Sequence, residues 1–349
     1  MLLDLKSFFG NYKEKFFFFI IVFIISLVFT KYYFLYTHEY YEPASSERMA
    51  DFTADKVFQK RVLPTLLAKF IVFNTGLSLD HTLKIICVIT CIAMLYGFKF
   101  LMIETNSNFS HGLEFFIFFP VAWNYIVLNG IYHSYDLPSL AFFCWGIVFF
   151  LRRRYVWFYL LYVVASLNRE STCFITIAIF ALTLNLASNS FSTFRFRDLL
   201  THNHILIFHC FVQIILWFII KKSLEYVFRD NPGTYYEETY SMINFLSNAL
   251  ANQASWPYLD PGNFIGNPRC FFTLFLGIWL LVPLFWQYIP SQAKKLLWII
   301  PPYLFAAILY ANLMETRVYH ELNIVLTACA VTGLHGWLKN VSPKKDEPL

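Results

Sequence analysis

The sequence predicts an all-α, polytopic membrane protein of about ten transmembrane helices, and three observations carry that prediction. Hydrophobic residues make up 58% of the chain and charged residues only 14%, where soluble domains carry about 25% charged residues. Mean hydropathy is +0.52. The apolar stretches are continuous rather than alternating, which fits helices and disfavours a β-barrel.

The first span covers residues 16–36. It is too long for a cleavable signal peptide and lacks a small-residue cleavage site. Residues 63–73 form a shorter apolar segment, with Pro64 suited to a helix start and Asn74-Thr75-Gly76 to its end. That segment reads as interfacial or re-entrant. The remaining spans lie near 83–103, 113–131, 137–151, 155–167, 171–187, 204–221, 271–288, 297–313 and 322–338. Several fall short of the roughly 20 residues that cross a bilayer. Short spans occur where helices end beside a buried cavity. The whole chain, 1–349, reads as a single integral membrane domain with two large outer loops, 37–62 and 222–270. The second loop is rich in Tyr, Asn, Pro and Gly and suits short amphipathic helices that cap a cavity.

Orientation follows from lysine and arginine in short loops. Arg152-Arg153-Arg154, Arg195 with Arg197, Lys294-Lys295 and the Lys339–Lys345 tail all fall on one side in an alternating ten-span arrangement. That side is the cytoplasm, and both termini lie there. Lys221-Lys222 departs from the rule and reads as a snorkelling span end.

The net charge is +5 and the basic residues are scattered, which argues against nucleic acid as a partner. The seven cysteines all fall in or beside apolar segments and read as apolar packing residues.

Four polar clusters interrupt the apolar chain, and the alternating topology brings them all to the outer side. Charge at membrane helix ends is costly and points to function by default. The first cluster runs from Glu39 to Arg61 and holds Asp51 and Asp55, four residues apart. On a helix these two share a face. Two neighbouring carboxylates bind a divalent cation such as magnesium or manganese, or tune one another so that one serves as a base. The alternative is a solvated helix with ordinary surface acids. The second cluster is His133-Ser134-Tyr135-Asp136. Asp136 caps the following helix in one reading and joins His133 in a metal or phosphate site in another. In the third, Asn168-Arg169-Glu170, a guanidinium at the membrane boundary suits bidentate hydrogen bonds to a phosphate. A local ion pair between helices is the alternative. The fourth holds Glu315, Arg317, His320 and Glu321 within seven residues.

An acidic first outer loop running into Arg61-Val62-Leu63-Pro64, the Tyr-Asp-Leu-Pro turn at 135–138, Asn-Arg-Glu-Ser at 168–171 and Glu-Thr-Arg at 315–317 resemble the GT-C type of bacterial integral membrane glycosyltransferase. Each motif is short, and together they span most of the chain. The resemblance implies a GT-C-like fold in the bacterial inner (plasma) membrane and a polyprenyl-phosphate-linked sugar donor drawn from the membrane lipid. It also implies transfer to an acceptor at the outer face. On this basis Asp51 and Asp55 match the base or metal-ligand position, and Arg61, Arg169 and Arg317 the phosphate-holding cations. Glu170, Glu315 and Glu321 then orient the arginines, with His133, Asp136 and His320 completing the substrate site. The first loop lacks an Asp-X-Asp pair, which leaves metal dependence open. A transporter or flippase of an anionic lipid or solute, a polysaccharide polymerase or ligase, and a non-catalytic scaffold are the rival readings.

Overall fold

A computed structural model describes residues 5–37, 42–106, 112–128, 132–184, 196–234, 271–310 and 319–341. Among them every regular element is helical, and no strand occurs. Three helices are long and apolar enough to cross a membrane: Glu14–Tyr36, Leu79–Thr105 and Asn203–Val227. The first and third are mostly exposed to their surroundings. Phe208, Phe211, Ile215 and Phe218 point outward from the third, as lipid-facing residues do.

In chain order the α-helices are α1 (Leu5–Tyr36), α2 (Ser46–Ala50), α3 (Lys56–Gln59), α4 (Leu63–Thr75), α5 (Leu79–Thr105), α6 (Phe118–Ala122), α7 (Asp136–Leu151), α8 (Tyr155–Asn168), α9 (Cys173–Thr183), α10 (Phe196–Val227), α11 (Leu281–Leu284), α12 (Ser291–Leu296), α13 (Ile300–Tyr310) and α14 (His320–Val341). The core forms around α5 and α7, which pack along their lengths. Gly97 permits this: a Cβ there would stand 2.9 Å from Cys144 Cβ. Small residues at such a crossing let two membrane helices approach closely. Buried hydroxyls are absorbed locally. Ser26, Thr105, Ser166 and Thr332 each donate to the carbonyl four residues back, which removes a polar cost in apolar surroundings.

The segment predicted as interfacial or re-entrant is a helix with the expected ends. Pro64 lies in the first turn of α4, and Gly76 caps it with φ 71°. Two predicted spans are not uniform α-helix. Residues 113–128 pass from a 3-10 turn through α6 into a π-helix, Trp123–Leu128. In residues 271–288 the backbone turns left-handed at Phe275, Leu276 and Gly277, then runs through the short α11 and a further 3-10 turn. The left-handed turn lets the Phe275 N–H donate to Asn124 Oδ1 at 3.2 Å. The second outer loop begins later than predicted, since α10 continues to Val227.

The tight Arg152–Arg154 turn folds α8 back along α7. The start of α7 and the end of α8 therefore meet at one end of the bundle.

Candidate functional site

At that end, residues from four parts of the chain form one buried polar network. Arg169 is its centre. It leaves the last turn of α8 with extended backbone, φ −161° and ψ 147°, which turns its side chain inward. Its Nη1 lies 3.0 Å from Asp136 Oδ1 and 2.7 and 3.1 Å from the two ring nitrogens of His320. Asp136 opens α7 and is fully buried. Ser139, one turn on, donates to the Asp136 carbonyl and lies 2.7 Å from His320 Nε2. His320 and Glu321 open α14, and their side chains approach to 3.4 Å. Ser171 and Tyr303 both donate hydroxyls to the Glu321 carboxylate.

The loop of residues 42–62 supplies the second half. Lys60 and Arg61 leave the end of α3 and reach Glu170 at 2.8 and 3.5 Å. Arg61 Nη1 also donates to the Tyr135 hydroxyl at 2.7 Å, and that hydroxyl lies 3.1 Å from His133 Nδ1. Phe58 stacks on the His133 ring. Asn168 donates to the Tyr135 carbonyl at 2.9 Å, and Trp217 on α10 donates to the Glu170 carbonyl at 2.8 Å. Burial alone would push the Glu170 carboxyl up. Lys60 and Arg61 beside it outweigh that and hold it well below the usual carboxylate range.

Of the residues singled out in the sequence, Arg61, His133, Asp136, Arg169, Glu170, His320 and Glu321 lie in this one network. Glu315 and Arg317 lie outside the described residues. The two loop acids separate in character. Asp51 ends α2 and is paired with Lys69 at 3.3 Å, its side chain 70% exposed. Asp55 opens α3, makes no capping bond and has no ion-pair partner among the described residues. Lys60 and Arg61 follow it by five and six residues, across the four-residue α3, about 6 Å of helix.

Lys60, Ser139, Ser171 and Tyr303 belong to the network without having been singled out in the sequence. Lys60 had one signal, its place beside Arg61. The hydroxyls had none, because single Ser and Tyr residues on apolar helices are common. Tyr125 is a further surprise. It sits on the π-helix, is buried, faces His320 with ring centroids 6.0 Å apart, and its hydroxyl has no hydrogen-bond partner among the described residues. Single-turn π segments often mark functional sites.

Three cations, Lys60, Arg61 and Arg169, face three carboxylates, Asp136, Glu170 and Glu321. At the mouth, a small cleft is lined by Lys60, Glu170, Trp217 and Lys221. No group of three His, Cys, Asp or Glu residues placed to hold a metal occurs among the described residues. No family model, curated protein or solved structure matches this chain.

Proposed function

We propose that the protein is a membrane glycosyltransferase of the GT-C type, built on about ten spans, that draws its sugar from a polyprenyl-phosphate donor. The observation that carries this reading is the joining of Lys60, Arg61, His133, Asp136, Arg169, Glu170, His320 and Glu321 in one network at a single end of the bundle. A scatter of unrelated helix-end charges would not converge in this way.

The donor phosphate sits at the mouth, over Lys60, Arg61 and Lys221, and Trp217 offers a face for the sugar. Arg169 lies behind and strengthens the positive field. Asp55 takes the proton of the acceptor hydroxyl. The oxygen then bonds to the anomeric carbon, and the bond from that carbon to the phosphate oxygen breaks. The electron pair leaves with the phosphate, where the cations stabilise it. Such stabilisation in a water-poor site is usually the largest catalytic contribution. Of the two loop acids Asp55 fits the base better, because Asp51 is already held by Lys69.

The test is product formation from a lipid-linked sugar by purified variants, with donor binding measured alongside. Asp55→Asn lowers turnover by roughly 10²–10⁴-fold and keeps donor binding, while Asp51→Asn stays near the parent. Arg169→Lys loses most activity, because a lysine ammonium does not reproduce the position from which Nη1 reaches both Asp136 and His320. Full turnover in both aspartate variants removes the catalytic role of the loop.

A further inference from the structure

We infer a second binding site, at the opposite end of the bundle, for the phosphate of an anionic phospholipid headgroup. α7 is 16 residues long, so this site lies roughly 24 Å from the polar network. The inference does not rest on the glycosyltransferase reading.

A cavity of about 410 Å³ opens between the α7–α8 turn, the end of α9 and the start of the apolar part of α10. Phe150 and Leu206 form part of its apolar wall, Tyr155 and His209 an aromatic wall, and Arg153 and His204 a polar rim. The walls are firm: Tyr155 stacks on His209 with centroids 4.6 Å apart, and Tyr159 fixes the same imidazole through a 2.7 Å hydrogen bond. The helix is broken at Asn203, which has non-helical backbone angles and lines the cavity.

Arg153 is the residue that points to a ligand. Its neighbour Arg152 is engaged by Glu104 at 2.7 Å. Arg153 pairs with no acid among the described residues, yet it holds φ 56°, a region that a long side chain rarely occupies. The turn bonds Arg153 N–H to Phe150 carbonyl and Arg154 N–H to Phe149 carbonyl at 2.9 Å each maintain that conformation. The result is a guanidinium presented to a cavity whose open side runs onto Ile205 and Phe208, which are 61% and 63% exposed on α10. A charged rim beside an apolar exit has the form of a diacyl phosphate: headgroup on Arg153, chains along α10. Basic pockets between helices bind anionic headgroups in this way.

The experiment titrates phosphatidylglycerol and phosphatidylcholine into the full-length purified protein and counts retained lipid by native mass spectrometry. Phosphatidylglycerol is retained preferentially. Arg153→Gly weakens it roughly fivefold, the usual worth of one cation near an anionic headgroup, and Arg153→Lys keeps most of it. Glycine suits φ 56°, so the Gly variant unfolds no earlier than the parent. Arg153→Asn, which also tolerates this region, repeats the measurement. Equal retention of the two lipids, or parent-like retention in both Arg153→Gly and Arg153→Asn, overturns the proposal. Displacement of the lipid by millimolar glycerol 3-phosphate alone also overturns it, by assigning the cavity to a soluble phosphate ester.

Discussion

Replacing Arg169 by alanine leaves Asp136 buried without its counter-charge. Breaking a buried pair from one side costs about 3–5 kcal/mol, so Arg169→Ala is expected to lower thermal stability in detergent sharply, and Arg169→Lys much less. Glu170 gives the pH dependence. Its folded-state pKa lies below the ordinary value, so its contribution to stability is fully present above about pH 4.5 and is lost as pH falls toward the folded value. Glu170→Gln removes that contribution at neutral pH and takes the carboxylate at 2.8 Å away from Lys60, which is only 4% exposed. The expected loss is about 1–3 kcal/mol, discounted for the partial exposure of Glu170. In thermal melts the gap between variant and parent narrows as pH falls from about 4.5 toward 3; a constant gap refutes the assignment. At this scale the sequence exposed the ionisable residues and hid their partners. Arg169 and Glu170 stand out in an apolar chain, whereas Tyr303 and Ser139 look like any other hydroxyl in a helix.

Among the elements, close packing of α14 depends on glycine. A Cβ on Gly336 would lie 2.7 Å from the Tyr288 carbonyl oxygen, and one on Gly333 2.9 Å from Phe285 Cβ. The Tyr288 contact is with backbone, so little can yield. Gly336→Ala is expected to cost about 1–3 kcal/mol by overpacking, read as a lower melting temperature; an unchanged melt refutes the contact. The ends of α4 were legible because Pro64 and Gly76 act through local backbone geometry. The left-handed turn at 275–277 was not. Hydropathy registers that Phe275 and Leu276 are apolar but not that the Phe275 N–H is drawn toward Asn124, 151 residues away. The π-helix that contains Asn124 was hidden for the same reason, since an apolar run looks alike in any helical form.

For the molecule as a whole, the antiparallel return of α8 along α7 brings clusters from residues 60 to 321 to one end. That meeting was legible in outline, because alternating spans place every second turn on the same side. Its chemistry was not, since a charge count does not show that each cation already faces an acid. The proposed orientation puts Arg152–Arg154 in the cytoplasm. An impermeant thiol reagent on intact cells is then expected to label a cysteine placed at the exposed Thr53 and to spare one at the exposed Ser291. The reverse pattern inverts the topology and moves the network to the inner face.

The loop that carries Asp55 is also fastened from far along the chain. The Asn231 amide donates to the carbonyls of Phe52 and Ala54 at 2.9 and 2.7 Å, and the Lys56 N–H reaches the Pro232 carbonyl at 2.9 Å. Gly233, with φ 75°, lies so close that a Cβ would meet Asp55 Oδ2 at 2.9 Å. Asn231 is made 179 residues after Phe52. At about 5–20 residues per second that is roughly 9–36 s of synthesis. Until Asn231 and Pro232 have been made, the loop bearing Asp55 lacks these bonds. The loop around Asp55 therefore takes its final shape only late in the synthesis of the chain, once the residues that follow α10 are in place.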